Sequence, residues 1–104
     1  MNLMIVGLLA VAVSSQAAAL VVVDRGQRLY ASCAGCHGTA GAGRGGVLPV
    51  LAGQPKDALA AGMRAFKAGT RPATIMGQIA KGYTDEQVEQ IAAYLAAQPR
   101  KLDK

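Results

Sequence analysis

Apolar positions in the second half of the chain recur with the spacing of helices. Val88, Ile91, Ala92 and Leu95 fall at i, i+3, i+4 and i+7, behind a capping box with Thr84 at the N-cap and Gln87 three residues on. The pattern predicts a helix to about Ala97 or Gln98, with Pro99 just beyond. Leu59, Met63 and Phe66 form a second stripe, on a helix from Pro55 to about Ala68 that Gly69 ends. Lys56, Arg64 and Lys67 take its wetter side. A short helix is expected over Thr74 to Lys81, stopping at Gly82.

The first half is less regular. Asp24 is the expected N-cap of a helix through Tyr30 to about Ser32. Gly26 and Tyr30 share a face of it. A glycine there weakens the helix, and a close crossing by another helix is a reason to use one. A frayed first turn is the plainer reason. Tyr94, near the apolar side of the last helix, is the residue expected to pack on Gly26. Val47 to Gly53 reads as extended, because Pro49 disfavours helix just before it.

Upstream of Asp24 the pattern changes. Leu3 to Val13 is an unbroken apolar run, followed by Ser14-Ser15-Gln16 and then by Ala17-Ala18-Ala19. This resembles a secretory signal peptide over residues 1–19 with a small-residue cleavage site, although no Lys or Arg precedes the run. Leu20 to Val23 are apolar again, so an uncleaved membrane anchor is the alternative. The remaining residues, 20–104, make one domain, expected to be exported to the periplasm.

Composition sharpens the picture. Such a domain is at the lower edge of what a hydrophobic core can stabilise. It has only four aromatic residues, Tyr30, Phe66, Tyr83 and Tyr94, so something else must supply apolar bulk. The net charge is +5, and every charged side chain lies at or after Asp24. A basic surface suits an acidic partner or anionic lipid. Nucleic acid fits poorly, since the basic residues are scattered and aromatics for base stacking are few.

Cys33-Ala34-Gly35-Cys36-His37 is the stretch that carries chemistry. Cys-x-x-Cys-His is the attachment pattern of c-type haem. Two thiols at this spacing can add across two vinyl groups at one porphyrin edge, and the adjoining imidazole then lies under the iron. A disulfide across two residues would add little stability. A thioredoxin-like dithiol needs a strand before the cysteines and a βαβ pattern, which the sequence lacks. Zinc is poorly served by a single His and no second Cys pair.

Further site residues follow from what haem needs. An iron-bound His requires an acceptor for its other ring nitrogen, and the Pro49 carbonyl is the candidate. Met76 sits beside a loop and can aim its thioether at the iron as sixth ligand. Met63 is more simply a packing residue on its stripe. The candidate site is therefore Cys33, Cys36, His37, Pro49 and Met76, with His37 and Met76 as iron ligands. Five glycines between Gly38 and Gly46 are expected to let the backbone pass close to the haem edge. That loop lacks the Lys and Ser/Thr of a phosphate loop.

In this order of elements the chain resembles a class I cytochrome c. The resemblance implies an all-α fold wrapped around one covalent haem c, with the first and last helices crossing near Gly26 and Tyr94. The stretch from Phe66 to Tyr83, which includes Gly69-Thr70-Arg71-Pro72-Ala73-Thr74-Ile75-Met76-Gly77, is similar to the cytochrome subunit of flavocytochrome c sulfide dehydrogenase. That implies a monohaem subunit taking single electrons from an FAD-bearing sulfide dehydrogenase subunit and passing them to another periplasmic carrier. No catalytic site of its own is expected. A free shuttle to a terminal oxidase or another dehydrogenase is the alternative. A haem ligand sensor and a haem-free thiol oxidoreductase stand further off.

Overall fold

The computed structural model describes residues 24–46 and 48–100. The expected signal segment lies outside the described residues. Residues 24–30 are helical (α1), and a turn leads into α2, Ala34–His37. A short 3-10 turn over Thr39–Gly41 follows. Then come α3, Lys56–Ala68; α4, Met76–Ala80; and α5, Asp85–Ala96. No strand occurs among the described residues.

Local chemistry sets the ends of these helices. Thr84 Oγ1 accepts from the Gln87 N–H at 3.1 Å, while the Gln87 side chain accepts from the Thr84 N–H at 2.9 Å, so the capping box is complete. Asp85 and Glu86 fill the first turn, where the helix dipole favours negative charge. Pro55 precedes the first turn of α3. At its other end Gly69 is left-handed (φ 77°), and the N–H groups of Gly69 and Thr70 reach back to the carbonyls of Phe66 and Ala65 in a Schellman closure. Asp24 departs from expectation. It lies inside the helical segment rather than at its cap, and pairs with Arg28 one turn on.

The core gathers Tyr30, Leu59, Ala60, Val88, Ile91, Ala92, Tyr94 and Leu95. α3 packs against both α4 and α5. Glu89 of α5 ties this seam from outside, bonding Arg64 and lying 3.4 Å from Lys56. The two cations hold its carboxyl below the usual range. α1 crosses α5 at Gly26, which is buried. A Cβ there would stand 2.1 Å from the Gln90 carbonyl oxygen and 2.7 Å from the Tyr94 Cβ. Close crossing, not fraying, explains this glycine. One turn further on, the Tyr30 and Tyr94 rings meet at 5.7 Å between centroids.

Gly26→Ala should therefore destabilise the protein by about 1–3 kcal/mol, the usual range for overpacking, because the neighbouring atom is backbone and cannot rotate away. Thermal unfolding of the two proteins side by side measures this. An unchanged midpoint would mean that the helices are not locked at this crossing.

Candidate functional site

The Cys-x-x-Cys-His stretch is wound into a helical turn. The His37 N–H donates to the Cys33 carbonyl at 3.0 Å, and the Gly38 N–H to the Ala34 carbonyl at 2.9 Å. In such a turn residues i, i+3 and i+4 share a face, so Cys33, Cys36 and His37 come together for a backbone reason. Cys33 is half-buried, Cys36 exposed and His37 buried, and the two cysteines are not joined in a disulfide. All three line one cleft of about 360 Å³.

Several contacts hold that turn in place. The Tyr30 hydroxyl donates to the Gly38 carbonyl at 2.6 Å, within the core. Ser32 Oγ and the Tyr83 hydroxyl lie 2.6 Å apart, joining the turn to the segment before α5. Arg44 Nη1 donates to the Gly35 carbonyl at 2.9 Å. Behind the turn, the Leu51 and Ala52 N–H groups both donate to the Gly41 carbonyl, at 2.9 and 3.0 Å. Gly41 is left-handed (φ 74°), and a Cβ on it would meet Leu95 Cδ2 at 2.6 Å. Both its left-handed backbone and the nearness of Leu95 on α5 therefore call for glycine at position 41.

Pro49 lies opposite His37. The two groups stand 3.3 Å apart, from His37 Nδ1 to the Pro49 carbonyl oxygen. A carbonyl only accepts, so Nδ1 is the donor, and in the neutral ring Nε2 then carries the lone pair. That is the tautomer an iron ligand requires.

Met76, half-buried at the start of α4, also lines the cleft. So does Met63, which packs against the core as well. The cleft thus brings Cys33, Cys36, His37, Pro49 and Met76 together, and does not set Met76 apart from Met63. The stripe on α3 has a second use that periodicity does not reveal. All three of its residues line the cleft, Leu59 buried and Met63 and Phe66 half-buried. Among the described residues, no three His, Cys, Asp or Glu side chains gather as a metal site of their own.

Two thiols on one face, a buried imidazole with Nε2 available, a thioether sulfur and an apolar cleft suit a flat, covalently held macrocycle with an iron at its centre. These features define a small all-α domain built around c-type haem. Residues 23–98 match the Cytochrome c family, and the chain belongs to it. Its cofactor is covalent haem c. Among relatives, the chain is 43% identical over 74 residues to the cytochrome subunit of sulfide dehydrogenase from Chlorobaculum tepidum, covering 71% of this chain and 66% of that one. It is 41% identical over 73 residues to the thiosulfate dehydrogenase electron acceptor of Stutzerimonas stutzeri, covering 67% of this chain and 34% of that protein. Cytochrome c-554(548) of Halomonas halodenitrificans is 36% identical over 76 residues, 70% of this chain and 92% of that protein. The chain thus spans a little under two thirds of the first relative and about one third of the second.

Burial pushes the Tyr30 phenol from 10.0 up to about 12. A raised folded-state pKa stabilises the protein fully below pH 10, and this contribution is lost as pH rises through 12. Unfolding free energy should accordingly decline between pH 10 and 12, by up to about 2–3 kcal/mol. Tyr30→Phe should flatten that decline at the cost of the Gly38 hydrogen bond. Denaturant titrations of both proteins at pH 9 and pH 11 test it, and equal losses in both would show that Tyr30 is not the group responsible.

Proposed function

We propose that this chain is an exported, monohaem electron carrier that accepts single electrons from a sulfur-compound dehydrogenase. The observation that carries this reading is the convergence of Cys33, Cys36, the Pro49-tethered His37 and Met76 on one apolar cleft. Cys33 and Cys36 would hold the haem through thioethers, each S–H adding across one vinyl group. His37 Nε2 and the Met76 sulfur would supply the iron's protein ligands. The bound haem supplies a one-electron ferric–ferrous couple. Ligation by His and Met raises the reduction potential and leaves no open position for substrate. Residues 1–19 serve as the export signal, and residues 20–104 work in the periplasm.

The partner is a flavoprotein that oxidises sulfide. Similarity to a sulfide dehydrogenase cytochrome subunit and to a thiosulfate dehydrogenase electron acceptor supports a sulfur-compound donor. The stretch from Phe66 to Tyr83 favours the first of the two. The contact surface is the mouth of the cleft, where Ile75 is 63% exposed, Leu48 39% and Ile79 36%. Apolar side chains in that position suit a dry contact next to the redox centre. A free shuttle is the second reading, favoured by the near-complete match to cytochrome c-554(548), whose name carries no dehydrogenase.

Met76→Ala should lower the reduction potential and let the ferrous protein bind carbon monoxide, seen as a shifted Soret band. An unchanged potential and spectrum would remove Met76 from the iron and turn attention to Met63. Purification from the native periplasm at low and then high salt separates the partner readings. Haem c and flavin held at a fixed ratio through high salt would support the dedicated subunit. Haem c alone would support the shuttle.

A further inference from the structure

One hydrogen bond joins the attachment turn to the part of the chain that carries Met76. Ser32 Oγ and the Tyr83 hydroxyl lie 2.6 Å apart. Among the described residues, no other hydrogen bond or ion pair links residues 24–46 to residues 56–83. Both ends of this bond are themselves held. Ser32 immediately precedes Cys33, and its hydroxyl donates to the Leu29 carbonyl at 3.3 Å. With its proton spent there, Ser32 Oγ accepts from the Tyr83 hydroxyl. Tyr83 packs against the core, and its carbonyl accepts from Lys67 Nζ at 2.7 Å, which ties it to α3. The stretch between depends on its ends. α4 packs on α3, but the hydrogen bonds from this stretch to α3 come at Thr70 and Arg71, to the Ala65 carbonyl at 3.0 and 3.3 Å, and at Tyr83. Met76 opens α4 between these two anchors, and no side chain caps that end of the helix. Ser32, Cys33 and Met76 all line the cleft.

A bond between two walls of a cleft fixes how far apart they stand. Resting on the reading of His37 and Met76 as the iron ligands, we propose that Ser32 and Tyr83 form a strap that holds the Met76 segment to the attachment turn, and so keeps Met76 in place against other ligands that compete for the iron. Both are positioning residues, acting through Met76 rather than on the iron itself. The strap favours the arrangement with Met76 in place, because a segment that swings away takes Tyr83 from Ser32. Its loss therefore raises the fraction of molecules with Met76 off the iron by the worth of one net hydrogen bond, roughly two- to tenfold.

Imidazole added to the ferric holoprotein tests this, because it binds only where Met76 has left. Its apparent affinity reports the Met76-off fraction, and loss of the near-infrared sulfur-to-iron charge-transfer band follows the same event. Tyr83→Phe keeps the ring and removes the hydroxyl, and should raise imidazole affinity by roughly two- to tenfold. Ser32→Ala should do the same, while Ser32→Thr, which keeps a hydroxyl, should stay near the wild type. The double variant should gain no more than either single one, since both remove one bond. Glu89→Gln, which loosens the outer seam between α3 and α5, should leave imidazole affinity unchanged. Unchanged affinity in Tyr83→Phe and Ser32→Ala, with or without a lower thermal midpoint, would overturn the strap. So would additive gains in the double variant, or an equal gain in Glu89→Gln, which would mark general loosening. Met76→Ala separates this result from the reading beneath it: imidazole affinity no higher than in the wild type would overturn Met76 as a ligand, and the strap with it.

Discussion

α3 and α5 carry apolar faces that cannot close fully on each other. Val88, Ile91, Ala92 and Leu95 lie buried in the core, yet they also border the cleft, opposite Leu59, Met63 and Phe66. With few aromatic residues and much alanine, the chain lacks the side-chain volume to fill that space. The cofactor is therefore part of the core as well as the redox centre. Burying its apolar faces against these helices gives folding and haem binding a common driving force.

Everything around the cleft then has to fix the orientation of one short turn. The helical winding of the Cys-x-x-Cys-His stretch sets the relative directions of three side chains but not where the turn sits. Its position comes from three directions: the Tyr30 hydroxyl on the Gly38 carbonyl, Ser32 on Tyr83, and Arg44 on the Gly35 carbonyl. Tyr30 in turn depends on the crossing at Gly26, because the same approach of α1 to α5 brings its ring against Tyr94. A contact at the far end of α1 thus helps to hold His37 in the cleft. The Pro49 carbonyl then selects its tautomer.

Much of this was legible in the sequence, because local rules govern it. The capping box at Thr84, the Gly69 stop and the helical spacing of α3 and α5 depend on neighbours in the chain. The crossing at Gly26 and Tyr94 was expected as well, from a glycine on a helix face together with the resemblance to class I cytochromes c. What escaped depends on partners distant in sequence. The left-handed Gly41 answers to Leu95, and only the folded chain brings the two together. The cap of α1 could not be placed at Asp24, because that residue lies within the helix and is paired with Arg28. Periodicity marked Met63 and Phe66 as apolar-facing, but it cannot tell a face turned to protein from one turned to a cofactor. For the same reason Met63 and Met76 stay equivalent as neighbours of the cleft.

Charge follows the same division between seam and cleft. Lys56 is near enough to the haem-binding segments in sequence to suggest a docking role, but Glu89 engages it on the seam between α3 and α5. Lys67 is likewise occupied, with the Tyr83 carbonyl at 2.7 Å and Asp85 at 3.7 Å. Arg44 instead lies beside the attachment turn, Arg71 lines the cleft, and Lys81 follows α4. None of these three has a carboxylate partner among the described residues. Part of the unneutralised positive charge thus stands on segments around the haem site. Apolar contact at the mouth would hold a partner there, while the surrounding cations would act at longer range and weaken with salt. A dedicated subunit would lean on the first and a shuttle on the second, so the balance between them bears directly on which partner this cytochrome serves.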